Sequence, residues 1–173
     1  MIKSPEDAFK LLEKLKAPKQ LIGHATDVSD VARILTDRFK KMGVPVKADI
    51  AIIGAVLHDA GKTIHKDELS KPGNQHEAEG ERLLLKHNVD PRIAAICAKH
   101  TSWEKIDLSL EELIVSLSDN LWKGKRAEKL ENLIIDKVAG LLKRDRWDLF
   151  IELDTFFEEI ASKGPERLMK SSF

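Results

Sequence analysis

The residues best suited to chemistry are the adjacent His58 and Asp59, which follow an apolar run and precede Gly61 and Lys62. The run at 51–57 is apolar or small throughout, which predicts a helix buried on all sides, although its β-branched residues leave a buried strand open. A buried carboxylate beside an imidazole costs several kcal/mol unless a metal ion or a charged partner compensates. Both side chains are ordinary ligands for zinc, iron or manganese. The pair therefore indicates a metal site, with an exposed helix end as the alternative.

Other histidines and aspartates stand near the ends of predicted helices on both sides of this pair. These residues are His24, His76, His100 and Asp119. Together with the pair they supply four imidazoles and two carboxylates, which are enough ligands for one or two metal ions.

The order of these residues along the chain resembles that of the HD-domain metal-dependent phosphohydrolase superfamily. Residues 58–62 are similar to the central His-Asp-x-Gly-Lys segment of that superfamily, and the resemblance covers about residues 23–126. It implies an all-α fold and a divalent transition metal (Fe, Mn, Zn, Co or Ni), bound as one or two ions. It assigns a first metal site to the residues that match its pattern, His24, His58, Asp59 and Asp119. It assigns a second site to His76 and His100, with Asp59 bridging the two ions.

The same resemblance implies that the protein hydrolyses a phosphate ester or anhydride. A metal ion lowers the pKa of bound water and so makes hydroxide available near neutral pH. Asp59 and Lys62 are predicted to be catalytic, Asp59 as ligand and water-orienting group, Lys62 by reaching a phosphate oxygen. Lys62 and Arg126 are predicted to bind the phosphate of the substrate, and Trp103 to line a pocket for a base. The alternatives are a solvated lysine that caps a helix C-terminus for Lys62, a solvated helix face for Arg126, and a core or rim position for Trp103.

The substrate predicted from this pattern is a small phosphorylated compound of the nucleotide type. Superfamily members that cleave cyclic dinucleotides often carry two adjacent histidines and a Gly-Tyr-Pro signature, whereas this chain has His100-Thr101 and no tyrosine. The segments 76–80 and 100–102 are more similar to the branch that hydrolyses dinucleoside polyphosphates.

The elements that must position these residues all have helical patterns, and no stretch alternates convincingly with the period of a strand. Helices are predicted from Ser4 to Ala17, 21–41, 51–59, 74–86, 91–100 and 109–119, followed by a helical region over 130–160 with a break near Asp145. Residues 63–74 are polar and contain Pro72-Gly73, which predicts a loop and leaves one helical turn open within it. We therefore predict an all-α, HD-domain-like helical globule with a buried central helix. It is predicted as a single domain over 1–173, with its core at about 21–126 and the C-terminal helices packing outside.

The charge and composition of the chain limit the kinds of molecule that the protein is expected to bind. The chain has 29 basic and 29 acidic residues, and the absence of a basic excess argues against general nucleic-acid binding. Cys97, the single cysteine, stands among apolar residues and is predicted to be a buried thiol. No apolar run reaches membrane-spanning length and the N-terminus lacks a signal-peptide core, so no membrane contact and a cytoplasmic location are expected. An oligomer is left open.

Two other functional classes remain open at this point. The first is a non-catalytic HD-like module that binds a nucleotide or a partner protein and keeps a structural metal. A catalytic site leaves a coordination position for water, whereas a structural site is closed. The second is a helical interaction domain with scattered histidines, which would bind no metal.

Overall fold

The chain folds into helices that pack around one central helix. The computed structural model describes residues 1–171, and within these residues there is no strand. The helices are α1 (Pro5–Lys14), α2 (Lys19–Lys41), α3 (Ala48–Leu57), α4 (Gln75–Lys86), α5 (Pro91–Lys99), α6 (Leu110–Leu121), α7 (Glu128–Leu142), α8 (Arg146–Ser162) and α9 (Gly164–Ser171). Two 3₁₀ turns, Ala60–Thr63 and Lys66–Leu69, lie between α3 and α4. The all-α fold predicted from the sequence is confirmed.

Helix α3 is the central helix, and its residues from Ala51 to Leu57 are all buried. One side of α3 packs into an apolar cluster with α2 and α6, and this cluster also contains residues of α7 and α8. The other side packs with residues of α1, α4 and α5 in a second apolar cluster. Because apolar neighbours cover both sides, α3 tolerates apolar residues all round, and the predicted buried central helix is confirmed.

Local signals in the sequence set several helix ends. The Ser4 hydroxyl accepts a hydrogen bond from the Asp7 amide at 3.2 Å at the start of α1. Ser109 and Glu112 form a capping box at the start of α6, in which each side chain accepts from the backbone amide of the other residue. Such caps satisfy amides that have no partner within the helix. These ends therefore lie where the sequence predicts them.

The C-terminal third of the chain differs from the sequence prediction in one respect. The break near Asp145 is present, and the Asp145 carboxylate caps α8 by accepting from the Trp147 amide at 2.8 Å. Helix α9 is an addition, since its eight residues begin with Gly-Pro and carry too few apolar side chains to give a clear helical pattern. Leu130 and Phe157, from α7 and α8, belong to the same apolar cluster as α2 and α6. The single-domain assignment stays a prediction.

Arg126 joins the start of α7 to α8 through three carboxylates. Its guanidinium lies 2.5 Å from Glu131 and 2.6 Å from both Asp154 and Glu158. The hydrogen bond to Glu131 is the main reason why the pKa of Arg126 is raised, against the opposing effect of burial. Glu131 is buried, so its charge depends on this partner.

We expect Arg126→Ala to lower the free energy of unfolding by about 2 kcal/mol, because it leaves the Glu131 carboxylate buried without its cation. The value is below that of a fully buried pair, since the Arg126 side chain is 30% exposed. Urea unfolding followed by circular dichroism measures the change, with the exposed Lys129→Ala as control. An unchanged urea midpoint would contradict the structural role of Arg126.

Candidate metal centre

The six residues with a predicted metal role come from five helices or from the residues that directly follow them. They lie in α2 (His24), directly after α3 (His58 and Asp59), in the first turn of α4 (His76), directly after α5 (His100) and in the last turn of α6 (Asp119). The structure brings all six side chains together where these elements meet.

Four of these side chains point their ligand atoms at one another. The Nε2 atom of His24 lies 3.2 Å from Nε2 of His58, 3.3 Å from Oδ2 of Asp59 and 3.1 Å from Oδ1 of Asp119. The Nε2 atom of His58 lies 3.5 Å from each of the two carboxylate oxygens. Ligands at ~2.1 Å from an ion are ~3.0 Å apart in an octahedron and ~3.4 Å apart in a tetrahedron. The spacing of these four atoms therefore fits one ion.

The carboxylate of Asp59 is shared between this group and a second group. Its Oδ2 atom faces His24 and His58, whereas its Oδ1 atom lies 3.2 Å from Nε2 of His76 and 3.7 Å from Nε2 of His100. The ligand atoms of Asp59, His76 and His100 lie within 4.8 Å of one another. The geometry thus offers space for two ions, with one oxygen of Asp59 directed at each.

Backbone carbonyls fix the tautomer of two of the imidazoles. The Nδ1 atom of His58 donates to the Ala55 carbonyl at 2.7 Å, and Nδ1 of His100 donates to the Cys97 carbonyl at 3.0 Å. A carbonyl only accepts, so the proton resides on Nδ1 and the lone pair of Nε2 faces the centre. Both rings are therefore in the form that binds a metal.

Glu68 holds the His76 ring in the same tautomer as His58 and His100, with Nε2 facing the centre. This role of Glu68 was not identified from the sequence. Its carboxylate accepts from Nδ1 of His76 and from the backbone amides of Gln75 at 3.0 Å and His76 at 3.1 Å. A carboxylate behind a ligating histidine fixes the ring and raises its basicity. The signal in the sequence is weak, because Glu68 is one of two adjacent acids in a polar loop, and the 3₁₀ turn that directs it inward has no apolar pattern.

The two ionised aspartates of the centre would be stabilised by a bound metal cation. Burial disfavours the charged form of His24, yet hydrogen bonds to Asp119 and Asp59 raise its pKa to about 9. Burial alone would raise the pKa of Asp59, but His58, His24 and His76 hold it well below its usual value. Burial is likewise outweighed at Asp119, whose pKa is held well below its usual value by His24 and His58. A single proton on His24 cannot bond all its neighbours, whereas a divalent ion can, so the donor set fits a metal.

Two glycines allow the turn after Asp59 to touch α4. A Cβ atom on Gly61 would lie 1.9 Å from the carbonyl oxygen of His76, and one on Gly80 would lie 3.0 Å from the Gly61 amide nitrogen. Side chains at these positions would push α4 away from the turn. This backbone contact therefore sets the distance between Asp59 and His76.

The three residues predicted to bind substrate occupy different places. The ammonium of Lys62 lies 2.8 Å from Oδ2 of Asp59 and is thus next to the centre. Trp103 lines a separate cavity of about 760 Å³ against α7, and Arg126 is engaged by the carboxylates described above. Their positions give no support to substrate-binding roles for Trp103 and Arg126.

A cavity of about 750 Å³ adjoins the centre on one side and is lined by His24, Asp59 and Lys62 together with Trp122. The side chains of His24 and Asp119 are 22% and 26% exposed, whereas that of His58 is fully buried. The centre is therefore open on the side of His24 and Asp119. This volume is in the range of small-molecule sites.

We expect His76→Ala to reduce the metal bound at saturation from two ions per chain to one, because it removes a ligand from only the second group. Titration of manganese or cobalt into chelator-treated protein measures the stoichiometry. His87→Ala is the matched control, since His87 caps the other end of α4. A parent protein that binds one ion, with no change in His76→Ala, would contradict a second site.

Comparison with known proteins identifies the family. The HD domain family matches residues 21–122, which is more than half of the chain and contains all six residues of the centre. The chain therefore belongs to the HD domain family, as its motifs indicated. HD domains bind divalent metals, and the described residues include three groups of histidines and aspartates that could hold such an ion.

Three relatives are similar to nearly all or most of the chain. A protein of Thermoplasma volcanium named tRNA (cytidine(56)-2'-O)-methyltransferase is 28% identical over 97% of this chain and 51% of its own length. One of the same name from Picrophilus torridus is 27% identical over 93% of this chain and 47% of its own length. An uncharacterized protein of Methanocaldococcus jannaschii is 27% identical over 75% of this chain and 81% of its own length. The chain thus spans about half the length of the two methyltransferases.

No solved structure is significantly similar to the chain. Across residues 1–171, no helix is both long and apolar enough to cross a membrane.

Proposed function

We propose that the protein is a metal-dependent phosphohydrolase that cleaves a small phosphate ester or anhydride of the nucleotide type. The observation that supports this most strongly is the division of the Asp59 carboxylate, with one oxygen facing His24 and His58 and the other facing His76 and His100. A shared carboxylate between two groups of imidazoles is an arrangement that suits two ions.

Each residue of the centre has a distinct part in this proposal. His24, His58, Asp59 and Asp119 would hold the first ion, and His76 and His100 would complete the second site with Asp59. Divalent ions held there would supply Lewis-acid charge to a phosphoryl oxygen and lower the pKa of water. The protein itself must therefore position the ester and neutralise its charge, which is most of what phosphoryl transfer needs.

Lys62 is suited to the second of these tasks. Its ammonium is half-buried and forms an ion pair with Oδ2 of Asp59 at 2.8 Å, on the side where the cavity opens. With ions bound to Asp59, the same ammonium can donate to a phosphate oxygen, since lysine carries three donors. Lys62 thus lowers the charge of the substrate, while Asp59 holds the metal.

The open side of the centre favours catalysis over a purely structural metal. Structural sites are closed by protein ligands, and catalytic sites leave a position for water or substrate. Here the partly exposed His24 borders the cavity beside Trp122, and the Asp119 carboxylate that faces His24 is also partly exposed. Substrate would enter from this side.

Metal loading combined with a substrate screen tests the proposal. The protein is stripped with chelator, reloaded separately with iron, manganese, zinc, cobalt and nickel, and assayed for phosphate release from nucleotides and small phosphate esters. We expect at least one ion to give turnover that is lost again on chelation. Metal bound at the centre without hydrolysis of any ester would favour the non-catalytic binding module instead.

The names of two relatives suggest a second candidate for the substrate. Those proteins are named for acting on tRNA, so a phosphate carried by RNA is an alternative for the same centre. A 5′-phosphorylated oligoribonucleotide in the screen tests this directly. Preferred hydrolysis of that oligonucleotide over free nucleotides would favour the RNA substrate.

A further inference from the structure

Helix α9 borders the cavity beside the metal centre, although it lies outside the matched segment 21–122. The cavity is lined by Leu168 and Lys170 of α9, by Lys19 at the start of α2, and by Trp122. The indole of Trp122 also contacts His24, with the two rings 5.2 Å apart and nearly perpendicular. One wall of the cavity is thus formed by the centre and another by α9.

The start of α9 is held firmly against the end of α6. A Cβ atom on Gly164 would lie 2.2 Å from the Gly124 amide nitrogen, so the two backbones are in direct contact. The Arg167 guanidinium donates to the carbonyl of Ile160 at 2.8 Å and to that of Trp122 at 3.4 Å. These contacts fix α9 relative to Trp122, as a wall of a binding site requires.

The charges around the cavity suit a phosphate monoester once both proposed ions are bound. The cavity and the centre contain the lysines Lys19, Lys62 and Lys170 and the aspartates Asp27, Asp59 and Asp119. Two further carboxylates belong to this set, Glu68 behind His76 and Glu166, which forms an ion pair with Lys170 at 3.3 Å. With the ligating histidines neutral, the net charge of these groups is −2, and the two divalent ions proposed above would make it +2. A phosphate monoester dianion supplies the two matching negative charges.

The size and lining of the cavity indicate what the ester carries. A cavity of about 750 Å³ is far larger than a phosphate group and has the volume of a drug-sized ligand. Trp122 and Leu168 offer apolar surface to a ring. The ammonium of Lys170 forms an exposed ion pair with Glu166 at 3.3 Å, and its remaining donors can reach hydroxyl or carbonyl oxygens. A nucleoside has both kinds of surface.

We propose that α9 is part of the substrate site, where Lys170 and Leu168 bind the nucleoside portion of a nucleotide whose phosphate lies at the metal centre. This inference rests on the proposed phosphohydrolase function and adds to it a specificity element. Lys170 and Leu168 contact substrate away from the reacting atoms, so they determine which ester binds.

The test compares a nucleotide with a small ester in parent, Lys170→Met and Leu168→Ala proteins. The ratio of kcat/KM for adenosine 5′-monophosphate to kcat/KM for glycerol 2-phosphate is expected to fall about fivefold in Lys170→Met, as the loss of one exposed charged contact predicts. A similar fall is expected in Leu168→Ala. Lys163→Met is the matched control, because Lys163 is an exposed lysine that precedes α9.

A second measurement is independent of turnover. Adenosine 5′-monophosphate is added to ¹⁵N-labelled protein that has been stripped and reloaded with diamagnetic zinc, and the amide shifts of Leu168 and Lys170 are expected to change while that of Lys163 does not. The same titration with a 5′-phosphorylated oligoribonucleotide distinguishes a free nucleotide from one at the end of an RNA. Changes in α9 with either compound support the inference, and the tighter binder identifies the source.

The results separate the inference from the function on which it rests. If the parent hydrolyses both esters but the variants keep the ratio of the parent and the α9 amides do not shift, α9 is not part of the site and the phosphohydrolase function stands. If the parent hydrolyses no ester with any ion, the proposed phosphohydrolase function fails, and the amide shifts alone decide whether α9 binds the nucleotide: shifts support that part of the inference, and their absence overturns it.

Discussion

An Asp59→Ala variant is expected to lose bound metal and phosphate-ester hydrolysis together, with kcat reduced about 10⁴-fold or more. Asp59 directs one oxygen at each of the two groups of imidazoles, so its removal takes a ligand from both. The variant therefore loses its means of activating water. No other single residue of the centre faces both groups through separate oxygens.

Lys62→Ala is the matched comparison, because Lys62 contacts Asp59 but has no predicted metal role. Loss of one electrostatic donor costs about 10²–10³ in rate, and the metal content should be unchanged. Metal analysis and phosphate release on both variants, after circular dichroism confirms folding, make the comparison. An Asp59→Ala protein that retained its metal and near-normal turnover would contradict the catalytic assignment.

Gly61→Ala is expected to destabilise the fold by about 3 kcal/mol and to weaken the second metal site. The added Cβ would lie 1.9 Å from the carbonyl oxygen of His76, so the backbone of α4 or of the turn must move. His76 moves with α4, whereas His24 and Asp119 lie on other helices. The second ion should therefore be lost before the first.

The control for this substitution is Gly140→Ala. Gly140 lies within α7, and a Cβ there would meet nothing within 4 Å, so the variant should gain about 0.5–1 kcal/mol from helix propensity. Urea unfolding of both variants measures the opposite shifts, and metal titration measures the stoichiometry. A Gly61→Ala protein as stable as the parent, with two ions bound, would show that the backbone contact is unimportant.

Much of the fold could be predicted from the sequence because its signals are local. Continuous apolar residues marked α3 as the buried helix, and the Ser109–Glu112 pattern marked the start of α6. Helix α9 could not be predicted in this way. Its position depends on the contact between Gly164 and Gly124, which are forty residues apart and give no periodic pattern.

In the metal centre, too, the sequence indicated some residues, whereas the roles of others depend on tertiary contacts. The order of the histidines and aspartates indicated the candidate ligands through a resemblance to a known family, and the match to the HD domain family supports that resemblance. The part of Glu68 depends on a 3₁₀ turn that turns one acid inward and leaves its neighbour Asp67 exposed. The ion pairs that Arg126 forms with Asp154 and Glu158 depend on where α8 packs, and the position of Arg126 after Asp119 in the sequence does not indicate this.

The acceptors behind the imidazoles have a consequence for how the protein acquires its metal. Ala55, Cys97 and Glu68 orient three rings through contacts that need no ion, so the ligands are arranged as soon as the chain has folded. Folding and loading are then separate events, unlike in small domains that fold only around zinc. A mixed set of imidazoles and carboxylates also discriminates weakly among first-row ions. The metal carried by each molecule should therefore reflect the ions present where it was made, and it should exchange as that supply changes.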